Sequence, residues 1–423
     1  MADDVTKDSV PDVTIVGAGI IGICSALALR ERGLSVVLID REDPGRATSF
    51  GNAGIISPWS CVPQAMPGIW KSVPKWLLHP EGPLRVRLRE FPALVPWVLR
   101  FFANTRLNRV HAISDAMDLL MRGNMEAYRR HLKGTGREDL IRDSWFINVY
   151  RGNAKPNLDE LGWQLRIDRG APVEIVTGEE LRDIEPEISS DFNQAIIQKG
   201  QSRVTNPGAL CKVLAEKACR LGTEFVRCHV TALKPQEDGS VHLSTSTGTL
   251  VAKKVVLSSG VWSLDLIKAL GISLPLVSER GYHLEFTDPG VSLNNSILDV
   301  AGKFIISSME GGVRSAGTSE FAHVDAPPNY RRADMLAPMS KRLIPRLKTD
   351  KTRRWVGARP SFPDNLPVIG EIPGIQNVYG AFGHSHYGLG MGPATARLLT
   401  EAIFGESSNT DRSPVSANRF LWS

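Results

Sequence analysis

The strongest constraint on how this 423-residue chain can fold lies near its start. Residues 12–16 read DVTIV, an apolar run of strand length, and Gly17-Ala-Gly19-Ile-Ile-Gly22 follows without a gap. Residues 23–32 then carry helical apolar spacing, Gly33 suits a helix end, and residues 36–39 form a second apolar run closed by Asp40. Glycines at this spacing are informative only between a strand and a helix, and that is where they stand. Gly17 permits a tight turn, Gly19 lets backbone approach a pyrophosphate, and Gly22 lets helix pack on strand. The pyrophosphate is expected on the N–H groups at the positive end of the helix. Asp40 lies 21 residues beyond Gly19, close to the ~20 expected of an acid that takes a ribose hydroxyl, which disfavours NADP. NAD and FAD both fit this fingerprint. The small-residue loop 47–57 tips the balance to FAD, because it lets the chain run close along a long flat ligand.

The remaining chain is mixed. Residues 105–132 read as one long helix, 145–150 as a strand, 178–184 as a short helix, and 206–222 as a helix capped by Asn206 with Pro207 at its first position. Strands are predicted at 224–230, 241–257 (a hairpin and a strand), 282–286, 304–307, 313–318, 355–358 and 378–382, and a helix at 394–404 behind the glycine-rich 383–392. A nucleotide-binding unit at the N-terminus, with more sheet and a glycine-rich helix start near the C-terminus, predicts a discontinuous α/β Rossmann-like domain (1–57, 200–275 and 350–423). An antiparallel-sheet α+β domain (58–199 and 276–349) is inserted into it.

Composition excludes several classes. With 42 % hydrophobic and 22 % charged residues the chain can bury a core, so disorder is excluded. A net charge of +5 is no nucleic-acid footprint. The five cysteines (Cys24, Cys61, Cys211, Cys219, Cys228) lack CxxC spacing, which argues against a disulfide framework or a zinc site and for a reducing, cytoplasmic compartment. Residues 1–10 are polar and contain no apolar signal segment. The apolar stretch 91–103 is broken by Pro92, Pro96 and Arg100 and falls short of the ~20 residues that span a bilayer.

Arg359 stands out on chemical grounds. It follows the strand-like Trp355-Val-Gly-Ala, where an unpaired guanidinium is costly, and its planar fork suits a carboxylate, either of a substrate or of an internal salt bridge. Tyr282 and His283 alternate on one strand, so only one of them can face a bound flavin, and Tyr282 is the expected one.

The sequence resembles the D-amino acid oxidase superfamily of flavoproteins, particularly its D-amino acid dehydrogenase, glycine oxidase and glyphosate oxidoreductase branches. The resemblance is carried by Ser49-Phe-Gly-Asn-Ala-Gly54, Ser72-Val-Pro-Lys-Trp-Leu-Leu78, Glu279-Arg-Gly-Tyr-His283, Gly302-Lys-Phe-Ile305, Gly357-Ala-Arg-Pro-Ser361, Leu366-Pro-Val-Ile-Gly370, Ala381-Phe-Gly-His384 and Asn418-Arg-Phe420. It implies FAD, with Gly17, Gly19, Ile21, Gly22, Asp40 and Arg41 at the ADP half. By the same resemblance Ser49, Gly51, Asn52, Ala53 and Gly54 run along the ribityl and ring, Val230 sits near the adenine, and Ser259 and Gly260 lie by the pyrophosphate. Gly388, Leu389, Gly390 and Met391 are placed at the flavin N1–C2=O edge. The resemblance assigns Arg359 to the substrate carboxylate and Phe304 to the pocket wall where glycine oxidases carry tyrosine. His386 takes the place of a second arginine, suited to reading the far end of the substrate or to taking the ammonium proton.

The implied activity is oxidation of the C–N bond of a small amino acid, either an N-substituted glycine or a D-amino acid. Hydride passes to flavin N5, and imine hydrolysis gives a 2-oxo acid and an amine. Two departures narrow the reading. No cysteine lies in 359–370, so the FAD is expected to be non-covalent. No lysine lies in 312–319, where sarcosine oxidases carry the one that activates oxygen, so a quinone or dye is an acceptor to set beside oxygen. Alternatives left open are a D-proline or hydroxy-D-proline dehydrogenase and an FAD-carrying subunit of a hetero-oligomeric dehydrogenase. The Trp- and Pro-rich 58–102 leaves room for peripheral contact with the inner membrane, against a packed cover over the active site as the plainer reading.

Overall fold

A computed structural model describes residues 10–79, 81–407 and 410–421. The polar segment 1–9 lies outside the described residues. The strand Val13–Val16 is buried throughout and takes the centre of a six-stranded sheet, as an unbroken apolar run requires. Across that sheet the strands run Val368–Glu371, Val378–Phe382, Val255–Leu257, Val13–Val16, Val36–Asp40 and Glu224–Arg227. All neighbours are parallel except the Val368–Glu371 edge. The helices Ile20–Glu31, Pro207–Arg220 and Gly388–Ile403 share one core on one side of this sheet, together with Leu107–Met121 and Asn124–Leu132. A second core joins the sheet to a three-stranded meander, Val230–Pro235, Val241–Thr245 and Gly248–Ala252.

A ten-stranded, largely antiparallel sheet forms the other half of the molecule. Its path runs Thr352–Ser361, Val277–Phe286, Gly312–Phe321, Phe304–Met309, Ser296–Asp299, Ile141–Arg151, Phe192–Val204 and Ile55–Ile56. Leu84–Val86 adds at Gly312–Phe321 and Val173–Thr177 at Phe192–Val204.

Four details differ from the expectations. The single helix over 105–132 is two, because Gly123 adopts φ +73° and breaks it. The strand over 224–230 ends at Arg227, and Val230 opens a strand of the meander instead. Thr352–Ser361, beyond the boundary expected at 350, pairs with Val277–Phe286 in the ten-stranded sheet. The helix Gly388–Ile403 starts six residues earlier than its apolar pattern announces. Asn206 caps Pro207–Arg220 by accepting from the Ala209 N–H at 3.0 Å. Among the described residues no helix is long and apolar enough to cross a membrane.

Candidate active site

A cavity of about 1190 Å³ is lined from both sheets. At the parallel-sheet end its wall is the glycine turn. Gly17 has φ +112°, and a Cβ there would lie 2.6 Å from the Ser258 carbonyl carbon, so only glycine fits. Gly22 faces away from the cavity: a Cβ there would lie 1.9 Å from the Gly17 oxygen, so its missing side chain is what lets the helix pack against the turn, the job expected of a third glycine. Gly19 and Ile21 line the cavity at the first turn of Ile20–Glu31, with no acidic side chain in that turn. Asp40 accepts from the Ala18 N–H at 2.7 Å and the Glu42 N–H at 3.0 Å, so it braces the turn as well as facing the cavity. Arg41 stacks over the Trp262 ring at 4.5 Å.

Ser49 accepts from the Ile20 N–H at 3.0 Å and lines the cavity with Gly51, Asn52 and Ala53. Val230, Ser259 and Gly260 complete this end, and Gly388, Leu389 and Gly390 bring the start of the last long helix to the wall. Two residues expected at the cofactor lie elsewhere. Gly54, at φ +83°, is pressed against the Val204 carbonyl, and Met391 points into the helical core.

The opposite end is a floor laid by two paired strands. Side chains alternate along a strand, so Trp355, Gly357 and Arg359 share one face and lie directly opposite His283, Gly281 and Glu279. The glycine pair leaves a trough between the two ends. The Arg359 guanidinium fills part of it, 2.1 Å from where a Gly281 Cβ would stand, and the Trp355 ring folds over Gly357 and Gly51. Trp355 stacks on His283 at 4.8 Å, and His283 Nδ1–H donates to the Gly51 carbonyl at 3.1 Å. Burial, with Arg314 nearby, pushes the His283 pKa down to about 3, so this ring is a neutral prop.

Glu279, which sequence reasoning passed over as a site residue, is the hub of the far end. Its buried carboxylate accepts from Ser319 Oγ (2.5 Å), His386 Nε2–H (2.7 Å) and Ser361 Oγ (2.8 Å), and pairs with Arg359 Nη1 at 3.4 Å. Burial alone would raise its pKa, but His386, Arg359 and the Ser319 hydroxyl hold it well below the usual carboxylate range. Nη1 of Arg359 also reaches the Thr318 carbonyl and Ser319 Oγ, both at 3.4 Å, whereas Nη2 and Nε have no partner among the described residues. Arg359 is thus both an internal ion-pair partner and an open donor edge on the cavity wall.

One expected pocket-wall residue lies off the cavity. Phe304 lies in the core of the ten-stranded sheet, and its neighbours Lys303 and Ile305 meet the cavity instead, as strand alternation demands. Tyr282 touches the cavity, but its hydroxyl donates to Glu320 at 2.5 Å and accepts from the Asn329 N–H at 3.0 Å. His283 shares the strand face of Glu279 and Gly281 but lies buried against Trp355 and the Gly51 carbonyl, and of the two neighbours Tyr282 is the one that lines the cavity. Lys303 reaches the cavity from the turn between two strands rather than from within 312–319, and surrounding protein shifts its pKa downward although the side chain stays accessible. The cysteines are all free; Cys228 lines the cavity, at the Asp40–Val230 end and away from Arg359.

Comparison with known proteins bears on the whole chain. A D-amino-acid oxidase of Bradyrhizobium diazoefficiens is 33 % identical over 97 % of this chain and 99 % of its own length. A D-amino acid dehydrogenase of Vibrio atlanticus is 28 % identical over 97 % of this chain and 100 % of its own. In fold, the crystal structure of glycine oxidase from Geobacillus kaustophilus superposes with a TM-score of 0.72 at 22 % identity, covering 97 % of this chain and 98 % of that one. The structure of L-proline dehydrogenase from P. horikoshii gives 0.75 at 16 % identity, with coverages of 97 % and 98 %. Residues 12–402 match the DAO family, described as FAD dependent oxidoreductase, and the chain belongs to that family.

Proposed function

We propose that this FAD-dependent oxidoreductase oxidises the C–N bond of an α-amino acid, a D-amino acid or an N-substituted glycine. The observation that carries this reading is the open Nη2–Nε edge of Arg359 on the wall of a cavity whose other end is a dinucleotide turn. The residues present fit FAD. Gly17 admits no Cβ, the N-terminal end of Ile20–Glu31 lines the cavity with no acidic side chain in its first turn, and the volume exceeds the roughly 300–1,000 Å³ of a small-ligand site. Gly17, Gly19 and Ser259 would hold the pyrophosphate, Asp40 and Val230 the adenosine side, and the loop from Ser49 to Ala53 the flavin side. When bound, FAD supplies the two-electron acceptor that turns the amino acid into an imine, which water hydrolyses to a 2-oxo acid.

Arg359 orients the substrate by gripping its carboxylate along the free edge of the fork, which fixes the Cα–H bond in one place. Glu279 fixes Arg359 and His386 relative to one another. The proton that the substrate ammonium must give up is taken by His386 at Nδ1, while its Nε2–H stays hydrogen-bonded to the Glu279 carboxylate, which balances the charge of the imidazolium. His283 and Trp355 close the other end of the trough, with His283 bracing the Gly51 carbonyl. The electrons then leave to an acceptor, for which a quinone or dye stands beside oxygen.

Two measurements check this reading. Denatured holoprotein is expected to release its FAD intact, because no cysteine lies at the Arg359 end; flavin that stays with the polypeptide would contradict this. Anaerobic addition of sarcosine, glycine and a panel of D-amino acids is expected to bleach the flavin with at least one of them. No bleaching by any amino acid would overturn the proposal.

A further inference from the structure

The cavity does not end at the charged cluster. On Gly312–Phe321 the next residue after Ser319 on the same face is Phe321, and Ser319 is the residue that touches both Arg359 and Glu279. The Phe321 ring lies 5.3 Å from that of Trp97, and Trp97 stacks on Phe101 at 5.2 Å with 14° between planes. Trp97 is tied to the cluster directly, since its Nε1–H donates to the Ser361 carbonyl at 3.0 Å and Ser361 Oγ donates to Glu279. Leu94 and Val98 share the cavity-facing side of the Phe91–Ala103 helix with Trp97 and Phe101, at helical spacing. The apolar stretch at 91–103 is therefore a wall of this site. An aromatic chamber begins where the carboxylate grip ends.

On the reading that Arg359 holds the carboxylate, we infer that the side chain on the substrate's Cα is large and apolar, aromatic or branched aliphatic, and lies along the Trp97–Phe101–Phe321 wall. A hydrogen or methyl at that position leaves this surface uncovered, and a charged side chain would lose its hydration with no partner among these residues. This narrows the proposed substrate to amino acids that carry such a side chain.

The test compares kcat/KM of FAD-loaded enzyme, with an artificial dye as acceptor, for D-phenylalanine and D-leucine against D-alanine and glycine. The large substrates are expected to lead by at least about tenfold, the scale at which apolar pockets discriminate by a methylene or more. Phe101→Ala, which removes part of the wall, and Val98→Trp, which fills the chamber, should each lower the D-phenylalanine to D-alanine ratio about tenfold. A preference for glycine, D-alanine or a charged amino acid, or a ratio unmoved in both variants, would overturn the inference alone. Absence of reduction by every amino acid would overturn it together with the functional reading on which it rests.

Discussion

Replacing Arg359 by alanine is expected to lower kcat/KM for amino acids by about 10³-fold, chiefly through KM, while FAD content stays that of the wild type. Truncating one member of a desolvated, hydrogen-bonded charge pair costs roughly 2–5 kcal/mol, and 10³ corresponds to about 4. Arg359 sits on the cavity floor opposite Glu279, with Nη2 and Nε open. A carboxylate bound there completes the fork without displacing Glu279 from Nη1. Arg359→Lys keeps the charge and loses the fork, so it should fall between wild type and alanine. Steady-state kinetics and the flavin absorbance of the purified variants check this. An unchanged KM in both would make Arg359 solely the counter-ion of Glu279.

The second large effect is expected at Glu279. Glu279→Gln should reduce kcat/KM about 10²-fold, because it removes the carboxylate that places Arg359 and His386 together, and a misplacement of ~1 Å costs on that order. The variant keeps the shape of the side chain; its one amide oxygen still accepts from one of Ser319 and Ser361, and its NH2 can donate to the other hydroxyl, so FAD binding should persist. The change also carries a pH signature in stability. The folded pKa of Glu279 lies below its ordinary value of 4.5, so its contribution to stability is complete above that value and is lost as pH falls through the lowered folded one. Wild-type and Glu279→Gln urea midpoints should therefore differ most at neutral pH and converge in strong acid. Unchanged kinetics, with or without a stability change, would reduce Glu279 to a structural role.

How much of this is legible in the sequence depends on how local each signal is. The nucleotide turn is readable because strand, glycines, helix and acid follow one another within 30 residues, and each has a backbone reason to be there. The chemistry at the other end is assembled by register. Glu279 and Arg359 are 80 residues apart in sequence, yet they are cross-strand partners. Alternation alone puts Trp355, Gly357 and Arg359 on one face and Glu279, Gly281 and His283 on another, but it does not say that the two faces coincide. That missing register explains why Phe304 was taken for a wall that Lys303 and Ile305 form. Glu279 enters the sequence reading only within the stretch 279–283, because the groups that make it a hub, Arg359, Ser361, Ser319 and His386, come from other elements. The helix break at Gly123 was missed for a simpler reason: one glycine inside an apolar periodic stretch is tolerated as often as it terminates.

The central claim is that Arg359 places an amino acid by its carboxylate for oxidation by the bound flavin. The most direct measurement is anaerobic stopped-flow reduction of the FAD-loaded protein by an amino acid and by its decarboxylated amine, D-phenylalanine against 2-phenylethylamine, in wild type and Arg359→Ala. The account predicts reduction by the amino acid about 10³-fold more efficient than by the amine in wild type, at the scale of a lost charge pair, and a difference that largely disappears in the variant. Equal efficiency of the two substrates in wild type, or a difference that survives loss of the arginine, would contradict it.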